Sequence, residues 1–244
     1  MKKVFAYIGS QMREKSCTAA LARRILEEAA KKLEGGLEYE VVTPDQVTVL
    51  PCKGCCNCFR YCECPQDQLD DMAAIKEKML AADFIIWGSP VYAHQVSGQT
   101  KIFIDRISYW FHLLQLAGKK GLVLSTTSGS GYREVLHYLS KLMYYTGMKP
   151  VGGYNVNAYL QGSFADPNDL EQKVEKAADL ICRHLQDPAV KVNKLLEEIF
   201  QANKQQILAA RELKPGEYAF WESRDYLDCG SFQELLTKKE NYKK

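Results

Sequence analysis

The stretch CKGCCNCFRYCEC, from Cys52 to Cys64, gathers six of the chain's nine cysteines. Thiols this close together serve structural disulfides, a zinc site, an iron–sulfur cluster or a redox dithiol. A Cys-x2-Cys-x2-Cys run, here Cys52, Cys55 and Cys58, lets one loop wrap three corners of a [4Fe–4S] cluster. Zinc sites use two separated Cys-x2-Cys knuckles or a cysteine–histidine mixture, and this segment has no histidine. Free thiols or a disulfide remain the non-metal alternative.

Three other stretches carry polar chemistry. GSQMREKSCT, from Gly9 to Thr18, has neither the GxGxxG of a dinucleotide fold nor the GxxxxGK[ST] of a P-loop. The hydroxyls of Ser10, Ser16 and Thr18, with backbone N–H groups at a helix start, make a phosphate cradle, and Arg13 or Lys15 adds charge. The plainer reading is an N-cap by Ser16. SPVYAH, from Ser89 to His94, offers Tyr92 as an aromatic wall on a loop stiffened by Pro90. It reads otherwise as a turn with a surface tyrosine, and His94 is a lone histidine, a type more often structural or solvated than catalytic. STTSGSG, from Ser125 to Gly131, permits close backbone approach and hydrogen bonds to ring carbonyls, or is a flexible Ser/Gly turn. Together the three outline a pocket for a mononucleotide with a flat ring.

The elements that position these stretches alternate. Short apolar runs at 4–8, 83–87 (DFIIW), 121–125 (GLVLS) and 151–156 read as buried parallel strands, and 37–42 as another. Helical patterns lie between them at 18–33, 70–81, 98–111 and 132–145, with a fifth at 170–185. Five strands separated by helices predict an α/β doubly wound parallel sheet. In such a sheet ligands sit beyond the carboxyl ends of the strands, where the strand order reverses. Residues 186–244 break the alternation: a helical pattern over 192–208 precedes the aromatic stretch EYAFWESRDYL.

Composition narrows the class. At 244 residues, 46% hydrophobic and 25% charged, the chain supports a sizeable core. A net charge of +2, from 32 basic and 30 acidic residues, speaks against nucleic acid as a partner. MKKVFAYIGS is too short an apolar run for a signal peptide, and no stretch is long enough to cross a bilayer. The expected location is cytoplasmic, with no membrane partner, and there clustered cysteines bind metal or do redox chemistry more often than they form disulfides.

In order along residues 1–185, the motifs resemble those of the flavodoxin-like NAD(P)H-dependent FMN reductases, in their iron–sulfur flavoprotein branch. The resemblance rests on Gly9-Ser10, Arg13, Ser16 and Thr18, on Cys52, Cys55, Cys58 and Cys64 followed by Asp70-Asp71-Met72, and on Ser89-Pro90-Val91-Tyr92. It continues through Ser97-Gly98, Lys101, Phe103 and Asp105-Arg106. Gln11-Met12 stand where that family has proline, with one extra residue. The resemblance implies a flavodoxin-like FMN-binding domain over 1–185 with a cysteine-rich insertion at 50–66, and a C-terminal helical extension over 186–244.

It also implies FMN as cofactor, held in the first loop by Ser10, Arg13, Ser16, Cys17 and Thr18. In the second loop it implies Pro90, Val91 and Tyr92, and in the third Thr126, Thr127, Ser128 and Gly129. Cys52, Cys55, Cys58 and Cys64 become the candidate ligands of a [4Fe–4S] cluster. Cys56 and Cys62 are left over, with Cys62 able to replace Cys64. NAD(P)H or a ferredoxin-like carrier is the implied electron donor, and a small molecule or protein the acceptor; a non-catalytic electron carrier and a zinc-stabilised binding module are the alternatives. The apolar run 192–208 with Tyr218, Phe220, Trp221 and Tyr226 predicts a homodimer or homotetramer interface, unless the tail folds back on its own domain.

Overall fold

The computed structural model describes residues 1–159 and 162–241. Strand β1 (Lys2–Ile8) explains the apolar run at the chain's start, because it lies in the sheet interior and is covered on both faces. Val4, Ala6 and Ile8 point to one side, where α1 (Cys17–Lys32) and α7 (Pro167–Gln186) bury Leu21, Ile25, Val174 and Ile181 against them. Phe5 and Tyr7 point to the other, where they meet α3 (Met72–Ala81), α4 (Gly98–Arg106) and α6 (Tyr132–Tyr145).

The remaining parallel strands are β2 (Leu37–Val42), β3 (Phe84–Tyr92), β5 (Lys120–Thr127) and β6 (Lys149–Asn157), in the order β2-β1-β3-β5-β6. The expected doubly wound sheet is therefore present, and its order reverses between β1 and β3. One strand was not foreseen. The two-residue β4 (Gln95–Val96) folds back antiparallel on the end of β3.

β3 runs past the expected strand end at residue 87. Gly88, Ser89 and Pro90 read as a turn, yet they pair with Leu124, Ser125 and Thr126 of β5. On the opposite side β1 ends at Ile8, level with Gly88. Pro90, which has no N–H, thus sits where the strand has lost one neighbour, an edge position that tolerates it. The helix expected over 98–111 also differs. α4 stops at Arg106, and a short α5 (Trp110–Leu113) follows after a break at 107–109, with Tyr109, Trp110, Leu113 and Leu114 all buried. Within the cysteine segment a further short helix, α2 (Asn57–Tyr61), is bracketed by Cys56 and Cys62, both in the left-handed backbone region.

The extension forms α8 (Lys194–Ala209), α9 (Pro215–Glu222) and α10 (Phe232–Asn241). Leu196, Ile199, Phe200, Trp221, Tyr226, Phe232 and Leu235 join the same hydrophobic cluster as Phe5 and Tyr7. Of the apolar residues that the sequence offered to a second subunit, Trp221, Tyr226, Leu196, Ile199 and Ile207 are buried within their own chain and Tyr218 and Phe220 partly so, while Leu195 and Leu208, with Leu213, stay exposed. Trp221 is the centre of this packing. It stacks on Phe200 at 5.7 Å, meets Tyr226 edge-on at 5.9 Å and donates Nε1 to the His112 carbonyl at 3.0 Å. We expect Trp221→Ala to cost about 3–5 kcal/mol. Denaturant unfolding followed by tryptophan fluorescence should give one shifted transition. An unchanged midpoint would show that the extension packs independently of the main fold.

Candidate functional site

The carboxyl ends of β1, β3, β5 and β6 open on a cleft of about 230 Å³ lined by Ser10, Ser16, Thr18, Pro90, Tyr92 and Thr126, among others. A larger cavity, of about 350 Å³, lies at the other ends of the strands between Lys2, Asp83, Lys120 and Asp187. Chemistry and not size separates the two. In the larger cavity Lys119 donates to the carbonyls of Leu80 and Ala82, and Lys120 to that of Asp187. The smaller cleft sits at the reversal of strand order, where open α/β sheets bind ligands.

One wall of the cleft is the first turn of α1. Ser16 caps this helix by accepting from Ala19 N at 3.1 Å. Thr18 Oγ1 lies 2.6 Å from Thr126 Oγ1 and so ties the first loop to the third. These two buried hydroxyls therefore shape the wall, while the helix N-terminus, Ser10 and the lining residue Lys15 supply donors and charge for an anion.

The second wall is the β3–β4 hairpin, a turn through Ala93 and His94, both with positive φ. Tyr92 lines the cleft and is 50% exposed. His94 Nε2 lies 3.3 Å from Ser130 Oγ, joining the hairpin to the third loop. Gly131 makes that approach feasible. Its φ is +84°, and a Cβ there would lie 2.7 Å from Val91 Cγ1 and 2.8 Å from His94 Cα. Beneath the hairpin Ser89 Oγ accepts from Ser97 N at 2.9 Å, while Ser97 caps α4 and donates to the Gly9 carbonyl. All three loops are thus cross-braced by hydroxyls.

The cysteine segment lies alongside α4. Burial first, then the nearby charges of Cys64, Cys52 and Cys55, push the Cys58 thiol up to about 11. Cys58 thus has the other three cysteines of the Cys-x2-Cys-x2-Cys-x5-Cys pattern among its electrostatic neighbours. Cys62 has other neighbours: burial and the charge of Glu217 in α9 push its thiol up to about 12. Cys56 is exposed, and its Sγ points to its own segment, at the Gly54 carbonyl. Lys101 of α4, held above its usual range by Asp105, also feels the charge of Cys52. Among the described residues no three His, Cys, Asp or Glu side chains close into a shell around a single ion. No two of the nine cysteines are bonded to each other in the structure.

Of the residues singled out in sequence, Ser10, Ser16, Cys17, Thr18, Pro90, Val91, Tyr92, Thr126, Thr127 and Ser128 all line the cleft. Arg13 and Gly129 do not. Met12, Ala158 and Tyr159 line it too and were not foreseen. The last two follow β6, and the rule that binding loops leave strand carboxyl ends applies to that strand as well. No helix among the described residues is long and apolar enough to cross a membrane.

Comparison with known proteins agrees with this geometry. Residues 3–161 match the family model of the NADPH-dependent FMN reductases. An iron–sulfur flavoprotein of Archaeoglobus fulgidus is 29% identical over 219 residues, covering 84% of this chain and 93% of that protein. One from Methanosarcina thermophila is 30% identical over 187 residues, covering 74% and 93%. The apo form of an NADH:FMN oxidoreductase superposes with a TM-score of 0.55 at 17% identity, over 80% of this chain and 94% of that one, a likeness of fold. The chain belongs to the NADPH-dependent FMN reductase family, on its iron–sulfur flavoprotein branch, and with it to the FMN-dependent oxidoreductases.

Proposed function

We propose that the chain takes electrons from NAD(P)H or a reduced carrier onto FMN in the cleft and passes them to a small-molecule or protein acceptor through the cysteine segment. In this reading Cys52, Cys55, Cys58 and Cys64 hold a [4Fe–4S] cluster. The observation that carries it is the course of α4. Its capping Ser97 bonds the Gly9 carbonyl beside the cleft, and about two and a half turns further on Arg106, the last residue of the helix, bonds Leu50, Asp67 and Asp70 on the two sides of the cysteine segment.

The residues fit FMN. The α1 N-terminus with Lys15 suits a phosphate, Tyr92 offers an aromatic ring, and the third loop has hydroxyl and N–H groups for the polar edge of the flavin ring. Thr127 Oγ1 already turns this loop by accepting from Gly129 N at 3.2 Å and donating to the Ser130 carbonyl at 2.8 Å. Bound FMN would supply hydride acceptance from the nicotinamide and the release of electrons in ones or twos. The cleft residues bind and orient it; no side chain there is needed as an acid or base.

The cysteine segment fits a cluster better than zinc. Its donors are thiols throughout, with no histidine and no second separated Cys-x2-Cys knuckle. A cluster would supply one-electron transfer. Cys64 is the fourth ligand in this reading, because it completes the Cys-x2-Cys-x2-Cys-x5-Cys pattern and its charge, with those of Cys52 and Cys55, acts on Cys58.

Two outcomes check this reading. Lys15→Ala should weaken FMN binding about tenfold or more, the effect of losing a charge-assisted hydrogen bond, with the melting temperature of FMN-free protein unchanged. Equilibrium fluorescence quenching measures it, and unaltered affinity would take the phosphate away from this loop. Iron analysis of anaerobically purified Cys52→Ala or Cys55→Ala should find the iron lost and FMN retained, while Cys56→Ala keeps both. Equal iron loss in Cys56→Ala would refute the ligand choice, and a colourless zinc protein would refute the cluster.

A further inference from the structure

The cysteine loop is closed at its neck by a single buried side chain. Arg106, the last residue of α4, has no exposed side-chain surface. Its Nη1 donates to the Leu50 carbonyl at 2.9 Å, on the strand of chain that enters the loop, and to Asp70. Its Nη2 donates to Asp67 Oδ1 at 2.7 Å and to Asp70 Oδ1 at 3.2 Å, on the chain that leaves it. Asp70 in turn accepts from Leu50 N at 2.8 Å and from Met72 N at 3.1 Å. Around this centre Gln66 Nε2 reaches the Pro51 carbonyl at 3.0 Å, Thr48 N donates to Asp71 Oδ2 at 2.7 Å, and Asp71 N returns a bond to the Thr48 carbonyl at 3.0 Å. Lys76 pairs with the far side of Asp67.

Only a planar guanidinium reaches both ends of the loop at once. A lysine ammonium in the same place carries the charge but has three donors on one atom and cannot span Leu50, Asp67 and Asp70 together. None of these groups lines the cleft. The lock is made of protein atoms alone and uses none of the six thiols of the loop.

We propose that Arg106 is a positioning residue that locks the neck of the cysteine loop, so that α4 acts as a strut of fixed length between the cleft and the thiols. Its functional sense rests on the reading of the loop as the redox segment. The lock itself is tested without that reading.

Hydrogen exchange with mass spectrometry on the FMN-bound, iron-free full chain reads local opening. Arg106→Lys and the milder Asp67→Asn should each raise exchange about tenfold or more in peptides spanning α2, the effect of losing charge-assisted bonds. Peptides of α1 and α7 should not change. After iron reconstitution the midpoint potential of the iron signal should move in Arg106→Lys, because the environment of the sulfurs shifts, while that of FMN stays. Exchange unchanged in both variants overturns the proposal. So does an equal rise in α1, α7 and α2, which would mean global destabilisation. If the parent protein takes up no iron but the α2 effect appears, the cluster reading fails and the lock stands.

Discussion

A guanidinium withdrawn from water must be surrounded by acceptors, and removing one partner of such a buried pair is strongly destabilising. Arg106 meets this constraint at its two terminal nitrogens, with two carboxylates and a carbonyl contributed by the two ends of a long loop, while its Nε has no partner among the described residues. Burial disfavours the charge of Asp70, yet the Arg106 guanidinium and the N–H groups of Leu50 and Met72 hold its carboxyl below the usual range. The loop packs Cys58, Phe59 and Cys62 against the core but leaves Cys52, Cys55 and Cys56 exposed. Its neck is attached to the sheet through α4.

The other end of α4 belongs to the cleft. Ser97 links it to Gly9 and, through Ser89, to the hairpin; Thr18 and Thr126 carry the bracing across to the third loop. The extension closes the remaining side of the cysteine segment. Gly216 lets α9 approach α2 so closely that a Cβ would lie 2.4 Å from the Arg60 carbonyl oxygen. His112 Nδ1 meets the buried Glu217 Oε1 at 2.7 Å, and its ring packs against Phe59 at 5.1 Å. The cysteine segment is therefore held by α4 on one side and by α9 on the other, and only its outer thiols, Cys52, Cys55 and Cys56, are exposed.

Much of this was legible in the sequence because it depends on local pattern. Buried parallel strands are continuous apolar runs, and the three loops announce themselves by hydroxyls and glycines at strand ends. What was not legible depends on distant partners. Gly88-Ser89-Pro90 has the composition of a turn, and only the early end of β1 and the length of β5 make it strand. Ser16 reads in sequence both as a phosphate ligand and as a helix cap, and its cap bond from Ala19 N is local; the contact of Thr18 with Thr126 spans 108 residues and leaves no local pattern. Arg106 looked like part of a motif with no stated purpose, since its partners lie 36 to 56 residues away. The extension's aromatic cluster has the composition of an interface, and composition cannot tell burial against the same chain from burial against another.

The central claim is that one rigid frame holds a flavin cleft and an iron-binding loop in electronic contact. Anaerobic stopped-flow reduction of the full chain, purified with its cofactors, tests it directly. On mixing with NADPH or NADH, whichever serves as donor, the two absorption bands of oxidised flavin should bleach first, and the broad iron–sulfur absorption should follow within the same turnover. Rapid bleaching of the flavin with an iron–sulfur signal that stays oxidised until dithionite is added would contradict the account.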